Sequence, residues 1–278
     1  MKYTNKLNLP EVFTKIYQDN NREINPHRFS VTELLSPTKQ ILLSRKYYNE
    51  IEEDISDCIP ALFGSAVHKV FEENTNKDEA EIKLEVEFGE DTIVGIIDYT
   101  KDDEIDDYKT CSVSKVSKKD LSDHETQIKL YALLRFKRDG IITRKGKLFY
   151  LMKDWSKVKS AYSSDYPKSP IYVHEFNIED SDYDYAETYI KNKLAEIHDN
   201  TIGYLCSEED RWYTGTKYAV YKNVGDKRAA YVADTEEDAH NYITNKCNGT
   251  GEIEVRKGNY LKCELYCSVN KFCDQYNS

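Results

Sequence analysis

Two aspartates and a lysine near the middle of the chain have types and spacing that suit a metal ion held against a phosphate. Asp98 ends the apolar run that begins at Ile93, and Asp107 and Lys109 follow after an acidic turn. Carboxylate oxygens are the ligands that Mg²⁺ and similar cations prefer, and an adjacent ammonium group stabilises anionic charge. The three residues therefore predict a metal-assisted site. The alternative is a polar hairpin at a sheet edge, where charged residues discourage aggregation.

The segments around these residues have the pattern of a β-hairpin. Residues 93–99 and 105–110 are β-prone runs, and a charged turn joins them. Side chains alternate along a strand, so Asp107 shares a face with Lys109 whereas Asp106 points away. Strand alternation therefore selects Asp107 as the second carboxylate. The other acidic residues here are predicted to form a solvated turn: Asp102, Asp103, Glu104 and Asp106.

Two predicted helices carry further polar side chains. Residues 60–74 have apolar residues at helical spacing and include His68. Residues 122–138 have the broadest apolar face and carry Gln127 and Tyr131 one turn apart. Each of the three has an ordinary alternative: a histidine without a ligand role, a solvent-facing glutamine, or a tyrosine at the core edge.

Strand and helix patterns continue to about residue 199, which predicts an α/β or α+β fold. The sequence pattern then changes to short strands and one short helix, which lie between cysteines. We predict two domains, residues 1–205 and residues 206–278, the second being a small α+β module.

Cysteines crowd the last quarter of the chain, where Cys263, Cys267 and Cys273 follow one another closely. In an intracellular chain such spacing favours metal ligands over disulfides. Cys206 is the predicted fourth ligand and Cys247 is the alternative. Thiolates in this arrangement suit an iron–sulfur cluster or structural zinc. The other alternative is a set of free, buried cysteines.

Composition limits the function further. The 278-residue chain has a formal net charge of −11, which argues against broad, non-specific nucleic-acid binding but permits a local basic groove. It has no apolar run long enough to span a membrane and no signal peptide at its start. We therefore expect a cytoplasmic protein without membrane contact, in the host cytoplasm if phage-encoded.

Four short motifs, in this order, resemble the RecB-like branch of the PD-(D/E)XK nuclease superfamily, which includes the RecB and AddB nuclease domains and the CRISPR-associated RecB-type exonucleases. The resemblance extends from about Ser30 to Tyr131, and onward to the helix ending near His198. Its opening, SVTELL, also looks like the first helix of many phage-encoded members. The motifs are Gly64-x-x-x-His68, Gly95-x-x-Asp98, Asp107-x-Lys109-Thr110 and Gln127-x-x-x-Tyr131.

The resemblance implies a restriction-endonuclease-like core, a central mixed sheet flanked by helices, with Mg or Mn as the catalytic metal. It implies that His68, Asp98 and Asp107 bind the metal and that Lys109 is the catalytic lysine. Gln127 and Tyr131 would lie beside the active site and contact substrate.

By the same resemblance, we expect a DNA exonuclease that acts on single strands or duplex ends in recombination, repair or phage DNA processing and leaves 5′-phosphates. A recombination or replication protein is the expected partner. Two alternatives stay open: a catalytically idle DNA-end-binding module, and a zinc-stabilised interaction domain.

Several relatives in this branch carry a four-cysteine iron–sulfur staple, with one cysteine before the nuclease core and three after it. This chain departs from that pattern. Residues 30–48 contain no cysteine, and the pair Cys263 and Cys267 is separated by three residues rather than two. The departure leaves both zinc and an iron–sulfur cluster open.

Overall fold

The computed structural model describes residues 1–18, 24–119, 121–199, 204–223 and 225–278. The chain divides into two compact units, Met1–Tyr204 and Leu205–Ser278. Within the described residues, no helix is long and apolar enough to cross a membrane.

Strands and helices alternate in the first unit. Its strands are β1 Lys2–Thr4, β2 Arg28–Ser30, β3 Glu52–Asp54, β4 Ala80–Phe88, β5 Asp91–Lys101, β6 Glu104–Cys111, β7 Lys145–Met152 and β8 Ile171–Asn177. Its α-helices are α1 Glu11–Gln18, α2 Val31–Leu34, α3 Thr38–Lys46, α4 Ile59–Glu73, α5 Val113–Lys118, α6 Ser122–Asp139, α7 Lys157–Tyr162 and α8 Asp180–Asp199.

A six-stranded sheet organises this unit, in the order β2-β5-β6-β7-β8, with β4 also paired to β5. The β2–β5 and β6–β7 pairs are parallel, and the β4–β5, β5–β6 and β7–β8 pairs are antiparallel. The sheet is therefore mixed. With helices around it, it confirms the predicted fold class.

Strand β5 changes its neighbour halfway along one edge. β2 pairs with residues 92–94 of β5, and β6 pairs with residues 99–101. β4 follows the opposite edge along most of β5. Among the described strands, residues 95–98 therefore have no partner on the edge that β2 and β6 share. This unpaired stretch separates β2 from β6 along the edge of β5, and the predicted ligand Asp98 lies in it.

Helix α6 is the central helix of the first unit. It lies in the crossover between the parallel strands β6 and β7, and it buries Ile128, Leu130 and Leu134 completely. A parallel pair requires such a crossover, and an apolar helix face packs well against a sheet. The same helix also buries Gln127, whose polar group must then find partners within the protein.

The N-terminal segment uses a helix cap to turn from β2 into α2. Ser30 Oγ accepts a hydrogen bond from Glu33 N at 3.1 Å, which agrees with the capping pattern Ser-x-x-Glu. The Glu33 carboxylate, however, pairs with Arg45 on α3. Helix α3 ends at Lys46, and a short 3₁₀ turn follows.

The second unit has a small three-stranded antiparallel sheet in the order β10-β9-β11. Its elements are β9 Lys217–Tyr221, β10 Tyr231–Ala233, α9 Glu236–Lys246, β11 Glu252–Arg256, α10 Leu261–Leu265 and α11 Asp274–Asn277. Its core is small: among the described residues only Val220, Ala233 and Ala239 form the buried cluster. Units with so little buried apolar surface usually need a further covalent or metal cross-link.

Candidate active site

Three elements bring a histidine and two carboxylates together. His68 on α4 has its Nδ1 atom 3.2 Å from Asp98 Oδ1 and 3.9 Å from Glu81 Oε1. One ligand atom from each of the three residues lies within 4.8 Å of the others. His68 and Asp98 were predicted from the sequence. Glu81, on β4, was not.

Glu81 has an unusual backbone as well as a functional position. Its φ is +51°, a left-handed conformation that is uncommon for a residue other than glycine. Strain of this kind persists where the surrounding structure enforces it, and it occurs often at functional sites. β4 carries several glutamates in an alternating sequence, and nothing in that sequence indicates which of them lies near Asp98.

The Asp98 side chain also connects the unpaired stretch of β5 to β6. Its Oδ2 accepts a hydrogen bond of 2.8 Å from Tyr108 N, a donor on β6 beyond the last β5–β6 backbone pair. A side-chain carboxylate thus satisfies an amide that a regular ladder would satisfy with a carbonyl. The contact fixes Asp98 relative to β6 and leaves its Oδ1 towards His68.

Asp107, Lys109, Gln127 and Tyr131 form a continuous polar chain beside this group. Lys109 Nζ lies 2.9 Å from Asp107 Oδ1 and 3.0 Å from Gln127 Oε1. Gln127 Nε2 in turn donates to Tyr131 Oη at 2.8 Å. Gln127 and Tyr131 come from α6, one turn apart. This series of hydrogen bonds therefore links the sheet to α6 and holds the lysine in one orientation.

Gly95 is the glycine that this arrangement requires. A Cβ atom at Gly95 would lie 2.8 Å from Tyr131 Cε1, closer than real side chains approach. At Gly64, the other glycine of the four motifs, the nearest atom is Thr110 Oγ1 at 3.6 Å, an ordinary contact. The Gly95-x-x-Asp98 spacing therefore reflects packing of the α6 tyrosine against β5.

All of these residues line one cleft of about 870 Å³. Its wall also carries cationic side chains, Arg28, Lys69 and Lys83. Two of them are paired: Arg28 with Glu85 at 2.6 Å, and Lys69 with Glu72 at 3.0 Å. The cleft thus combines a carboxylate centre with a basic margin, although the chain as a whole is acidic.

Burial and crowding shift the acid–base properties of the cleft. The hydrogen bond to Asp98 raises the pKa of His68. Burial raises the pKa of Asp107, and the Lys109 ammonium opposes that shift. Burial and then the Asp98 charge raise the pKa of Glu81. The shift of His68 thus comes first from its carboxylate partner, and those of Asp107 and Glu81 come first from burial.

The donor set fits a divalent cation. The ligand atoms of His68, Glu81 and Asp98 lie within 4.8 Å of one another, which a single ion can bridge. Asp107 is 2% exposed and lines the same cleft, and Lys109 Nζ lies 2.9 Å from its Oδ1 and 2.8 Å from its Oδ2. Carboxylate oxygens with one imidazole suit Mg²⁺ or Mn²⁺, and the nitrogen favours Mn²⁺ somewhat.

The prediction that Asp106 belongs to a solvated turn is wrong. Asp106 lies within β6, pairs with Tyr99 across the sheet and is 6% exposed. Its carboxyl group faces Glu104 and Lys147 rather than the cleft, and burial raises its pKa to about 7. The sheet begins earlier than the run of acidic residues suggested, so the turn is limited to Asp102 and Asp103.

The C-terminal cysteines are neighbours within the second unit. Burial and then charges that include Cys263, Cys267 and Cys273 raise the pKa of Cys206 to about 11. Gln275 holds Cys206 in place through two backbone hydrogen bonds of 2.9 and 2.8 Å.

The cysteine sulfurs are not drawn together to ligand distance. In the described chain, no three of them lie within 4.8 Å of one another. Thiolate donors suit zinc or an iron–sulfur cluster, and a single zinc ion would require the sulfurs to move closer together, whereas a cluster binds its cysteines through separate iron atoms. Cys247, the alternative ligand, is buried at the end of α9.

Comparison with known proteins places the chain in a family. The model of the PD-(D/E)XK nuclease superfamily matches residues 30–274. No curated protein matches the chain.

Three solved structures are similar to parts of the chain. SSO0001 is 18% identical, with 66% of this chain and 82% of that chain covered and a TM-score of 0.44. LHK-Exo, in complex with dAMP, is 12% identical, with coverage of 63% and 93% and a TM-score of 0.33. A phage-related exonuclease from Haemophilus somnus 129PT is 13% identical, with coverage of 68% and 78% and a TM-score of 0.31.

Proposed function

Because the chain belongs to the PD-(D/E)XK nuclease superfamily, a superfamily of metal-dependent nucleases, we propose that it is a DNA nuclease whose active site is the cleft around Asp98, Asp107 and Lys109. One observation carries this proposal. Ligand atoms of His68, Glu81 and Asp98 lie within 4.8 Å of one another, in the same cleft as the buried Asp107 carboxylate and a lysine that Asp107 and Gln127 hold. Carboxylate oxygens that converge in this way, with an imidazole nitrogen beside them, suit a divalent cation.

His68, Asp98 and Glu81, whose ligand atoms lie within 4.8 Å of one another, would hold the divalent cation together with Asp107, which lines the same cleft. Mg²⁺ or Mn²⁺ bound there would neutralise charge on the phosphodiester and lower the pKa of a bound water molecule. His68 is kept in position by the short contact between its Nδ1 and Asp98 Oδ1. The ligand set is thus assembled from a helix and three strands of the sheet.

Lys109 acts on the phosphate and on the attacking water. Its ammonium group donates hydrogen bonds, and it stabilises the negative charge that builds on the phosphoryl oxygens. Asp107 and Gln127 fix its direction at 2.9 and 3.0 Å. Hydrolysis in line with the leaving group yields a 5′-phosphate and a 3′-hydroxyl.

DNA reaches the cleft along its basic margin. Arg28, Lys69 and Lys83 lie on the cleft wall, where a phosphate backbone would pass. Their present partners, Glu85 and Glu72, are carboxylates that a DNA phosphate would replace. Because the net charge is −11, this local groove supplies the attraction that the rest of the surface does not.

The motif order supports the RecB-like branch and, with it, an exonuclease that acts on single strands or duplex ends. The expected recombination or replication partner and the cytoplasmic location stay predictions. We also propose that Cys206, Cys263, Cys267 and Cys273 hold zinc or an iron–sulfur cluster. Two observations support this proposal. The other three cysteines are near enough to Cys206 for their charges to raise its pKa, and the second unit has only a small core.

Cleavage of defined substrates tests the proposed activity. End-labelled linear single strands, linear duplex and circular DNA are incubated with Mg²⁺, with Mn²⁺ and with chelator. We expect loss of the linear substrates only, with metal, and products whose 5′-phosphate is labile to phosphatase. Equal cleavage of circles would contradict the exonuclease. Metal-independent binding of ends without any cleavage would replace the nuclease with an end-binding module.

A further inference from the structure

A second group of metal-ligating side chains lies outside the cleft. Asp91 is 5% exposed. His27 Nδ1 lies 3.1 Å from Asp91 Oδ1, and His198 Nε2 lies 2.7 Å from Asp91 Oδ2. One ligand atom from each residue lies within 4.8 Å of the other two. Each carboxylate oxygen therefore faces its own imidazole nitrogen.

The three residues come from distant parts of the first unit. His27 directly precedes β2, Asp91 begins β5, and His198 is in the last turn of α8. The two imidazole rings are stacked, with centroids 5.8 Å apart and planes at 24°. Such convergence of three separate segments on one buried carboxylate requires the surrounding structure to hold it.

The surroundings do hold both imidazoles. The carbonyl of His27 accepts a hydrogen bond of 2.8 Å from Thr92 N, which ties the histidine backbone to β5. Asn25 Oδ1 accepts from His27 N at 2.9 Å. The Phe29 ring packs edge-on against His198, with 6.2 Å between centroids. The backbone of His27 and the ring of His198 are thus held next to Asp91.

Hydrogen bonds can satisfy this group without an ion, because each Asp91 oxygen has its own imidazole nitrogen, at 3.1 and 2.7 Å. The same residues also form a donor set for a metal ion, in which two imidazole nitrogens and one carboxylate oxygen take three positions and water takes the fourth. Around a tetrahedral ion with bonds of about 2.0–2.2 Å, neighbouring donor atoms lie roughly 3.4 Å apart. The observed separations of 3.1 and 2.7 Å need only a small expansion.

The chemistry of the donors selects the ion. Imidazole nitrogen with carboxylate oxygen suits zinc and similar borderline divalent ions, whereas Mg²⁺ prefers oxygen ligands. The two imidazoles are 48% and 43% exposed, so an ion can enter from solvent although the carboxylate is buried. The site therefore differs in preference from the carboxylate-rich cleft.

We propose that His27, Asp91 and His198 form a second, zinc-type metal site with a structural role. Asp91 lies seven residues before Asp98 on β5, a separation of roughly 23 Å along a strand. The ion is therefore separate from the catalytic cation. It ties the end of α8 to the parallel β2–β5 pair, and β2 carries Arg28 on the wall of the cleft.

Zinc titration of metal-stripped protein tests the proposal. The parent, His27→Gln, His198→Gln and a matched control, His174→Gln, are compared by bound zinc after dialysis and by the zinc-dependent change in Tm. His174 suits as a control because it pairs with a single carboxylate, Glu125, at 2.7 Å. Zinc-free Tm values are measured alongside, so that lost hydrogen bonds are separated from lost metal.

The parent and His174→Gln should each hold one zinc equivalent more than the two site variants. Zinc at about 100 times its Kd should raise the Tm of the parent by roughly 5 °C more than that of the variants. Equal zinc content and equal zinc-dependent Tm shifts in all four proteins would overturn the proposal. His27→Gln, at a half-exposed ring, keeps the test valid if His198→Gln does not fold.

Discussion

Lys109 Nζ lies 3.0 Å from Gln127 Oε1, although the two residues are eighteen positions apart and belong to a strand and a helix. The Nε2 atom of the same amide donates a hydrogen bond to Tyr131 Oη at 2.8 Å. Because Gln127 is buried, its two hydrogen bonds have no competition from water. The helix thus sets the direction of the proposed catalytic lysine.

Gln127 should therefore act as a positioning residue. Gln127→Leu removes one of the two acceptors of Lys109 and leaves only Asp107, so it should lower kcat about 10- to 100-fold, with little change in KM. Gln127→Glu keeps an acceptor for the lysine and should restore part of the rate. Steady-state cleavage kinetics check this, with Lys129→Ala as the control because Lys129 lies on the same helix as Gln127 but pairs with Asp182 of α8. Equal rates for Gln127→Leu and the parent would refute the assignment.

Glu81 should contribute to metal affinity rather than to the chemical step. Glu81→Gln removes a charge beside Asp98 and His68, so half-maximal activity should need about tenfold more Mg²⁺. Activity at saturating Mg²⁺ should remain near that of the parent. Glu79→Gln is the matched control, since Glu79 pairs with Lys101. An unchanged Mg²⁺ dependence in Glu81→Gln would remove it from the ligand set.

The buried carboxyl group of Asp106 should make the free energy of unfolding depend on pH. Burial raises its pKa to about 7, so the folded protein keeps a proton that the unfolded chain loses near pH 4. The stabilisation is complete below about pH 4 and is lost as the pH rises to about 7. Asp106→Asn should therefore be more stable than the parent at pH 8, by on the order of 1–3 kcal/mol.

Denaturant unfolding at pH 4, 6 and 8 measures this difference. Asp103→Asn, in the exposed turn, is the control and should follow the parent at every pH. If Asp106→Asn and the parent differ by the same free energy at all three values, the carboxyl group does not titrate as its burial indicates.

The cysteine site makes a separate prediction about the second unit. If the four thiolates hold a metal, Cys267→Ser should lower metal content and Tm together, because the unit has little core of its own. Cys247→Ser distinguishes the alternative ligand, and Cys111→Ser, in the first unit, is the control. Normal metal content and Tm in Cys267→Ser would exclude the proposed site.

The hairpin and the central helix were accessible from sequence because their patterns are local. Alternation over residues 105–110 predicted that Asp107 and Lys109 share a face, and the structure has them in contact. Periodicity also located α4. It did not reveal how α4 packs: Phe63 and Val70 are each 58% exposed, although their spacing predicted a core-facing stripe.

The features that sequence could not supply depend on long-range pairing. The parallel β2–β5 pair joins residues more than sixty positions apart, and no local pattern encodes that register. Glu81 is one of several glutamates on β4, so only the fold singles it out. The His27, Asp91 and His198 group likewise unites three segments whose sequences show no metal-binding spacing.

Metal-dependent cleavage by the parent and by Lys109→Ala tests the central claim most directly. Both proteins, matched for folding by circular dichroism, are given end-labelled linear DNA with Mg²⁺ and with chelator, beside the control Lys147→Ala. The parent and the control should cleave only with metal, and Lys109→Ala should be slower by about 10²- to 10³-fold. Cleavage by Lys109→Ala at the parental rate, or cleavage by the parent in chelator, would contradict the assigned active site.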